Sequence, residues 1–230
     1  MLITYKDHMG DDLRVANAAR VSFAKWKEEF DIGDAKLIRY LVSHHHDSPL
    51  RHIVFTFHVE APEFVFRQLY RHVVGSAWTP VNFAGHFGWN EKSLRYVDAR
   101  EHWMPEKETW RKQHPTAKQG SLQETLDDEK TQEQAVNAYY DAVGTAFNAY
   151  ARLLELGVCR EQARAVLPLA TITEALWTCS AQAALWLITL RDHDHAQYEI
   201  RVLAQQVTPI LEKHIPVTLH AWNEFRRSLS

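Results

Sequence analysis

The segment Ile53-Val54-Phe55-Thr56-Phe57-His58-Val59 alternates with a period of two. In an extended chain Ile53, Phe55, Phe57 and Val59 therefore share one face, and Thr56 and His58 the other. Two aromatic rings and two β-branched side chains on one face need something to pack against, so this is a strand with at least one buried face. Further strands are expected near the N-terminus and around residues 170–178. Residues 134–156, 159–167, the run from Trp177 to Leu190 and residues 193–213 are helical in period, and Pro168 and Pro216 punctuate them. A last short helix follows Pro216. Strands early and helices late predict an α+β fold with a mostly helical C-terminal half.

Leu37, Ile38 and Leu41 fall on one helical face, with Asp34 placed as the N-cap and the helix ending near His44-His45-His46. Pro62 suits the first turn of a helix carrying Phe64, Val65, Gln68, Leu69 and Arg71. Residues 77–89 form a loop rich in glycine, proline and aromatics, too aromatic for a mere connector. Residues 98–133 are charged, poor in valine, isoleucine and leucine, and broken by Pro105, Pro115 and Gly120, which predicts a surface excursion. The simplest organisation is one domain over residues 1–230.

Hydrophobic residues at 46% and charged residues at 24% exclude wholesale disorder, and 26 basic against 29 acidic residues give no basic balance for a nucleic-acid polymer. No apolar run reaches the roughly 18 residues of a membrane span, and the first residues have no signal-peptide pattern, so a cytoplasmic protein is expected. Cys159 and Cys179 lie in apolar segments and are expected to be buried rather than nucleophilic.

Arg67, Arg71, Arg95, Arg160, Arg164 and Arg191 lie within or beside apolar segments, where an unpaired guanidinium is costly. They call for anionic partners. One possibility is a phosphate, which guanidinium forks match bidentately; the other is internal pairing with Glu63, Glu91, Glu161 or Glu174. Arg160 and Arg164 stand one helical turn apart. The runs His44-His45-His46 and His193-Asp194-His195 lack the spacing of a metal site and suit helix ends or polar ligand contacts. There is no Gly-x-Ser-x-Gly elbow, no P-loop and no Gly-x-Gly-x-x-Gly.

Phe64-Val65-Phe66-Arg67-Gln68-Leu69-Tyr70-Arg71-His72, followed by Asn90-Glu91-Lys92-Ser93-Leu94-Arg95-Tyr96, resembles the signature of the flavin-dependent thymidylate synthases, R-H-R-x(2)-S-x-N-E-x-S-x-R-Y. Ala19-Arg20-Val21-Ser22, the strand with its preceding His52, Arg160-Glu161-x-Ala163-Arg164 through Leu169, and Leu190-Arg191-x(3)-His195-Ala196-Gln197 match in the family's order. The resemblance implies an antiparallel sheet packed with helices, and a homotetramer with active sites shared between subunits. It also implies the reaction: C5 of dUMP receives a one-carbon unit from methylenetetrahydrofolate, with FAD reduced by NADPH carrying the methylene and supplying the hydride. Carried over by position, Gln68, Glu91, Ser93, Arg95, Arg164 and Arg191 would form the nucleotide site, with Glu91, Ser93 and Arg95 the catalytic set. Ser22, His46, Ser48, Arg71, His72 and His195 would serve the flavin.

Four flavin positions depart from the family. Val73 stands for the last arginine of R-H-R, and Ser180, Gln182 and Trp186 stand in the family's N-x-R-x(3)-N. Residues 77–89 also intervene where the family has one residue, bringing Trp78, Phe83, Phe87 and Trp89. Either the loop covers the same flavin, or it and Trp186 occupy part of the flavin pocket. Without a reductant, water would trap the methylene, so the alternative is a flavin-independent hydroxymethylase of dUMP or dCMP, with His86, Asn82 or His72 holding the water. A nucleotide-binding homologue without catalysis is the remaining alternative.

Overall fold

A computed structural model of the chain describes residues 1–73 and 88–225. In chain order it contains β1 (Leu2–Met9), α1 (Asp12–Arg20), α2 (Ile32–Ser43), β2 (Val54–Pro62), α3 (Glu63–Leu69), β3 (Gly88–Glu91), β4 (Arg111–Gln113), β5 (Ser121–Thr125), α4 (Glu129–Glu155), α5 (Arg160–Ala163), β6 (Ile172–Ser180), α6 (Ala181–Arg191), α7 (Tyr198–His214) and α8 (Pro216–Phe225). The fold is α+β, with an antiparallel sheet in the strand order β1-β2-β6-β3 and a small β4-β5 sheet. Contacts divide the chain into two compact units, Met1–Val59, Gln68–Asn90 and Ala175–Ser230 in the first, Glu60–Arg67 and Glu91–Glu174 in the second.

In the first unit the alternation of β2 has its expected effect. Ile53, Phe55, Phe57 and Val59 are all fully buried. Phe57 packs against Trp177 of β6 with ring centroids 5.4 Å apart, while on the other face Thr56 and Thr178 share a hydroxyl hydrogen bond of 3.2 Å. Each buried ring contributes about 2–3 kcal/mol. α7 packs on β1 and α6, and α8 on α2, closing a core that includes Leu185, Ile188, Leu203, Val207, Leu211 and Trp222.

Local chemistry sets the helix ends. α2 begins one turn earlier than expected: Asp31 is the N-cap and Asp34 the third helical residue, each side chain satisfying the other's backbone amide. Asp34 is thereby drawn inside, where it is fully buried and paired with Arg20 and Lys27. Ser180 caps α6 through Ala183 N–H at 3.2 Å, so the expected helix from Trp177 divides, with Trp177 in β6 and the helix starting at Ala181. Cys179 is buried and its thiol is pushed well up by that burial. Cys159 is exposed, against expectation, because it precedes α5 in extended backbone as the N-cap residue.

In the second unit, residues 98–133 contain the β4-β5 pair, with Arg111 opposite Thr125 and Gln113 opposite Ser121. Aromatics anchor them where aliphatics are scarce: Trp103 meets Phe64 at 5.2 Å, and Trp110 meets Tyr139 of α4 at 5.3 Å.

Candidate functional site

The first unit holds a cavity of about 720 Å³, within the range of small-molecule sites. The end of α1 and its following turn supply Arg20, Ser22 and Phe23; α2 supplies Tyr40; the loop and 3-10 turn before β2 supply His46, Asp47, Ser48 and Arg51. It thus brings together Ser22, His46 and Ser48 of the expected flavin set, and Phe23 adds an aromatic side chain that is 75% exposed. Arg20 Nη1 is buried with no hydrogen-bond partner among the described residues. Two guanidinia, two serine hydroxyls, two imidazoles, one carboxylate and the aromatic side chains of Phe23 and Tyr40 line the cavity; the cations, hydroxyls and aromatics suit a planar ring system carrying phosphate, so these residues fit a flavin dinucleotide.

The four departures can now be placed. Ser180 is consumed by capping α6. Gln182, 4% exposed, accepts from Arg51 Nε at 2.9 Å and donates to Asp47 Oδ2 at 3.2 Å. Trp186 stands edge-on to Trp222, centroids 5.2 Å apart, and is not among the described residues lining the cavity. α6 sets its ring against α8. Val73 is 37% exposed. Of the 77–89 loop, Trp78, Asn82, Phe83, His86 and Phe87 lie outside the described residues; Trp89, in β3, packs edge-on against Tyr70 at 5.4 Å.

A second polar group in the same unit contains Arg71, His72 and Arg191, and Gln68 and His195 belong to that unit as well. Arg191 Nε donates to His72 Nε2 at 3.2 Å. Burial first, then the Arg191 charge, lowers His72 from an ordinary 6.5 to about 4, so the imidazole is neutral. Arg191 is itself shifted down, by burial and then by Arg71. Gln68 donates to Gln197, whose own amide donates to Glu199 at 2.9 Å. His195 is exposed, its N–H bonded to His193 Nδ1 at 3.1 Å.

The second unit has a cavity of about 680 Å³ that brings together Glu91, Ser93 and Arg164 of the expected nucleotide set, with Glu63, Arg67, Lys92 and Glu161. Burial raises the Glu63 carboxyl and nearby Glu91 raises it further, while Arg67 and Arg164 act against the rise. Glu91 accepts from the Thr173 hydroxyl at 3.1 Å. Arg95 lies 3.8 Å from Glu161 and donates to the Tyr96 hydroxyl at 3.2 Å.

The expected scarcity of solvent around the arginines is corrected. Arg67, Arg71, Arg95, Arg160 and Arg164 are exposed and solvated, and Arg191 is half-buried. Arg160 pairs with Asp98 at 2.9 Å rather than sharing an anion with Arg164, because α5 ends at Ala163 and the chain tightens into a 3-10 turn. Tyr40, Asp47 and Arg51 were not singled out by sequence reasoning. Their one signal was proximity to the His44-His45-His46 run.

The family described as "Thymidylate synthase complementing protein" matches residues 3–217. The flavin-dependent thymidylate synthase of Thermosipho africanus is 38% identical over 220 residues, 95% of this chain and 89% of that protein. That of Thermus thermophilus is 38% identical over 223 residues, 97% of this chain and 74% of that protein. The crystal structure of the UMP/dUMP methylase PolB from Streptomyces cacaoi bound with 5-Br dUMP is similar with a TM-score of 0.81 and 33% identity, over 98% of this chain and 96% of that one.

Proposed function

The chain belongs to the flavin-dependent thymidylate synthases, the thymidylate synthase complementing family, and from that premise we propose that it methylates C5 of dUMP to give dTMP. The one-carbon unit comes from methylenetetrahydrofolate and the reducing equivalents from NADPH. Bound FAD supplies the hydride chemistry. The protein works as a homotetramer, in keeping with exposed Val21, Phe23 and Ile32 in the first unit. The observation that carries this reading is the cavity at Ser22, His46 and Ser48, which keeps a composition suited to a flavin dinucleotide although four family positions have changed.

The remaining residues then have defined tasks. Ser93 and the Arg164 guanidinium, with Arg67 beside them in one cavity, present a hydroxyl and two cations to a nucleotide phosphate. Glu91, fixed by Thr173, and Arg95 orient the nucleotide. Arg191 keeps its terminal amino groups for the substrate because His72 takes its Nε, and Gln68 is steadied by Gln197. Arg71, His72 and His195 complete the flavin set.

The hydroxymethylase alternative is not favoured. Its premise was the loss of flavin contacts at four positions, with Trp186 and the 77–89 loop in the pocket; Trp186 packs on Trp222 and does not line the cavity at Ser22, His46 and Ser48. The named relatives are flavin-dependent synthases, which also disfavours a homologue without catalysis. Product analysis tests the reading: purified protein given FAD, NADPH, methylenetetrahydrofolate and dUMP should yield dTMP only when all four are present. Release of 5-hydroxymethyl-dUMP without flavin would overturn it. UMP belongs in the same assay, because PolB is described as a UMP/dUMP methylase.

A further inference from the structure

Gln182 is a nearly buried primary amide whose two ends are both engaged, the oxygen by Arg51 Nε at 2.9 Å and the nitrogen by Asp47 Oδ2 at 3.2 Å. Such an amide has little freedom to turn, since reversal would set its NH2 against the guanidinium. It therefore fixes Arg51 through Nε alone. The two terminal amino groups of Arg51 make no hydrogen bond among the described residues. They belong to an exposed side chain that lines the 720 Å³ cavity. The other guanidinium there, Arg20, pairs with buried Asp34, which also pairs with Lys27, and the Arg20 Nη1 is buried. Arg51 has the Asp47 carboxylate near it, but its two terminal amino groups remain open to a further anion.

The family pattern puts an arginine where Gln182 stands. In this chain that arginine would face Arg51 and remove the acceptor that holds it, so a neutral amide at 182 and a cation at 51 are a matched pair. Resting on the reading that the chain binds flavin, we propose that Arg51, positioned by Gln182, grips the diphosphate of the flavin dinucleotide and replaces the guanidinium missing from position 182. The diphosphate is the one anionic part of that cofactor, and a guanidinium presenting two parallel N–H donors matches it.

The test uses the assembled full chain, freed of cofactor and titrated with FAD and with riboflavin, which has no phosphate, while flavin fluorescence is followed at several salt concentrations. Arg51→Gln should weaken FAD binding by about tenfold and flatten its salt dependence, as loss of a charge-assisted contact requires. Riboflavin binding should be unchanged. Gln182→Arg alone should also weaken FAD binding. The double exchange, Arg51→Gln with Gln182→Arg, should restore affinity to within about threefold of the parent, because it rebuilds the same amide–guanidinium pair in reverse. Equal affinity of Arg51→Gln and parent for FAD would overturn the inference and leave the flavin reading standing. Equal losses for FAD and riboflavin, or a double exchange no better than the single ones, would reduce Arg51 to a packing role. If the parent itself binds no FAD, the flavin reading falls and this inference with it.

Discussion

Arg191 Nε donates a hydrogen bond to His72 Nε2 across 3.2 Å. An imidazole nitrogen can accept only when unprotonated, so the pair exists because His72 is neutral, and His72 is neutral because it is 4% exposed beside a permanent cation. The proton of the ring is left on Nδ1. One family motif residue therefore aims another, the guanidinium assigned to the nucleotide.

Removing the acceptor should loosen that aim. His72→Leu is expected to weaken dUMP binding by about tenfold, the worth of one hydrogen bond to a charged group. His72→Gln, whose amide oxygen can accept from Arg191, should retain most of the affinity. Calorimetric titration with dUMP distinguishes the two, and equal affinities would show that Arg191 holds its position unaided.

The same residue predicts an acid sensitivity. Below an ordinary value of 6.5 the unfolded chain takes up a proton at His72, which the folded protein does not accept until about pH 4. The unfolded state then binds more protons, so stability falls as pH drops from about 6.5 to about 4 and levels off below, by at most about 3 kcal/mol. His72→Gln removes this contribution. Thermal unfolding of both proteins between pH 7 and pH 4.5 should show the parent losing ground to the variant; parallel curves would place the acid sensitivity elsewhere.

Local pattern in the sequence was enough to place β2, because alternation states which side chains are inside, and Ile53, Phe55, Phe57 and Val59 are inside. It was not enough at α2, where two aspartates three residues apart form one capping box and either can be read as the cap. The division between β6 and α6 was hidden for a related reason: Trp177 to Leu190 carries no charge and only scattered polar residues, so no period marks where strand becomes helix, and only Ser180 does. Motif position singled out Ser22, His46, Ser48, Glu91, Ser93 and Arg164 as candidates, and they line two cavities. It said nothing of Arg51, whose part depends on an amide 131 residues away. For Trp186 the sequence left two readings open, because a substitution shows the volume added but not the direction the side chain takes.

Asp12 joins the two ends of the chain. Its carboxylate accepts from the Val217 and Thr218 amides at 2.9 and 2.8 Å and from the Thr218 hydroxyl at 2.5 Å, which caps α8 from outside that helix. Burial raises its carboxyl in spite of these bonds. Asp12→Ala strands two backbone amides and a hydroxyl in the core, a loss of about 2–4 kcal/mol. Urea unfolding should show it as a lowered midpoint with little change in slope.

Trp186 supplies the sharpest separation between a pocket and a packing role. If its ring obstructed the cofactor, Trp186→Asn, which restores the family's residue, would raise FAD affinity at little cost. The structure instead sets the ring edge-on to Trp222, which is fully buried, at a centroid distance of 5.2 Å. Trp186→Asn should then remove that contact, leave a polar amide against α8 and lower stability by about 2–3 kcal/mol. Its FAD affinity should stay within about twofold of the parent, since the changed side chain does not line the cavity. Trp186→Phe keeps an aromatic edge for Trp222 and should recover about half of the lost stability. Thermal unfolding and flavin titration on the same samples settle the matter: a stable Trp186→Asn protein with tighter FAD binding would return the tryptophan to the flavin pocket.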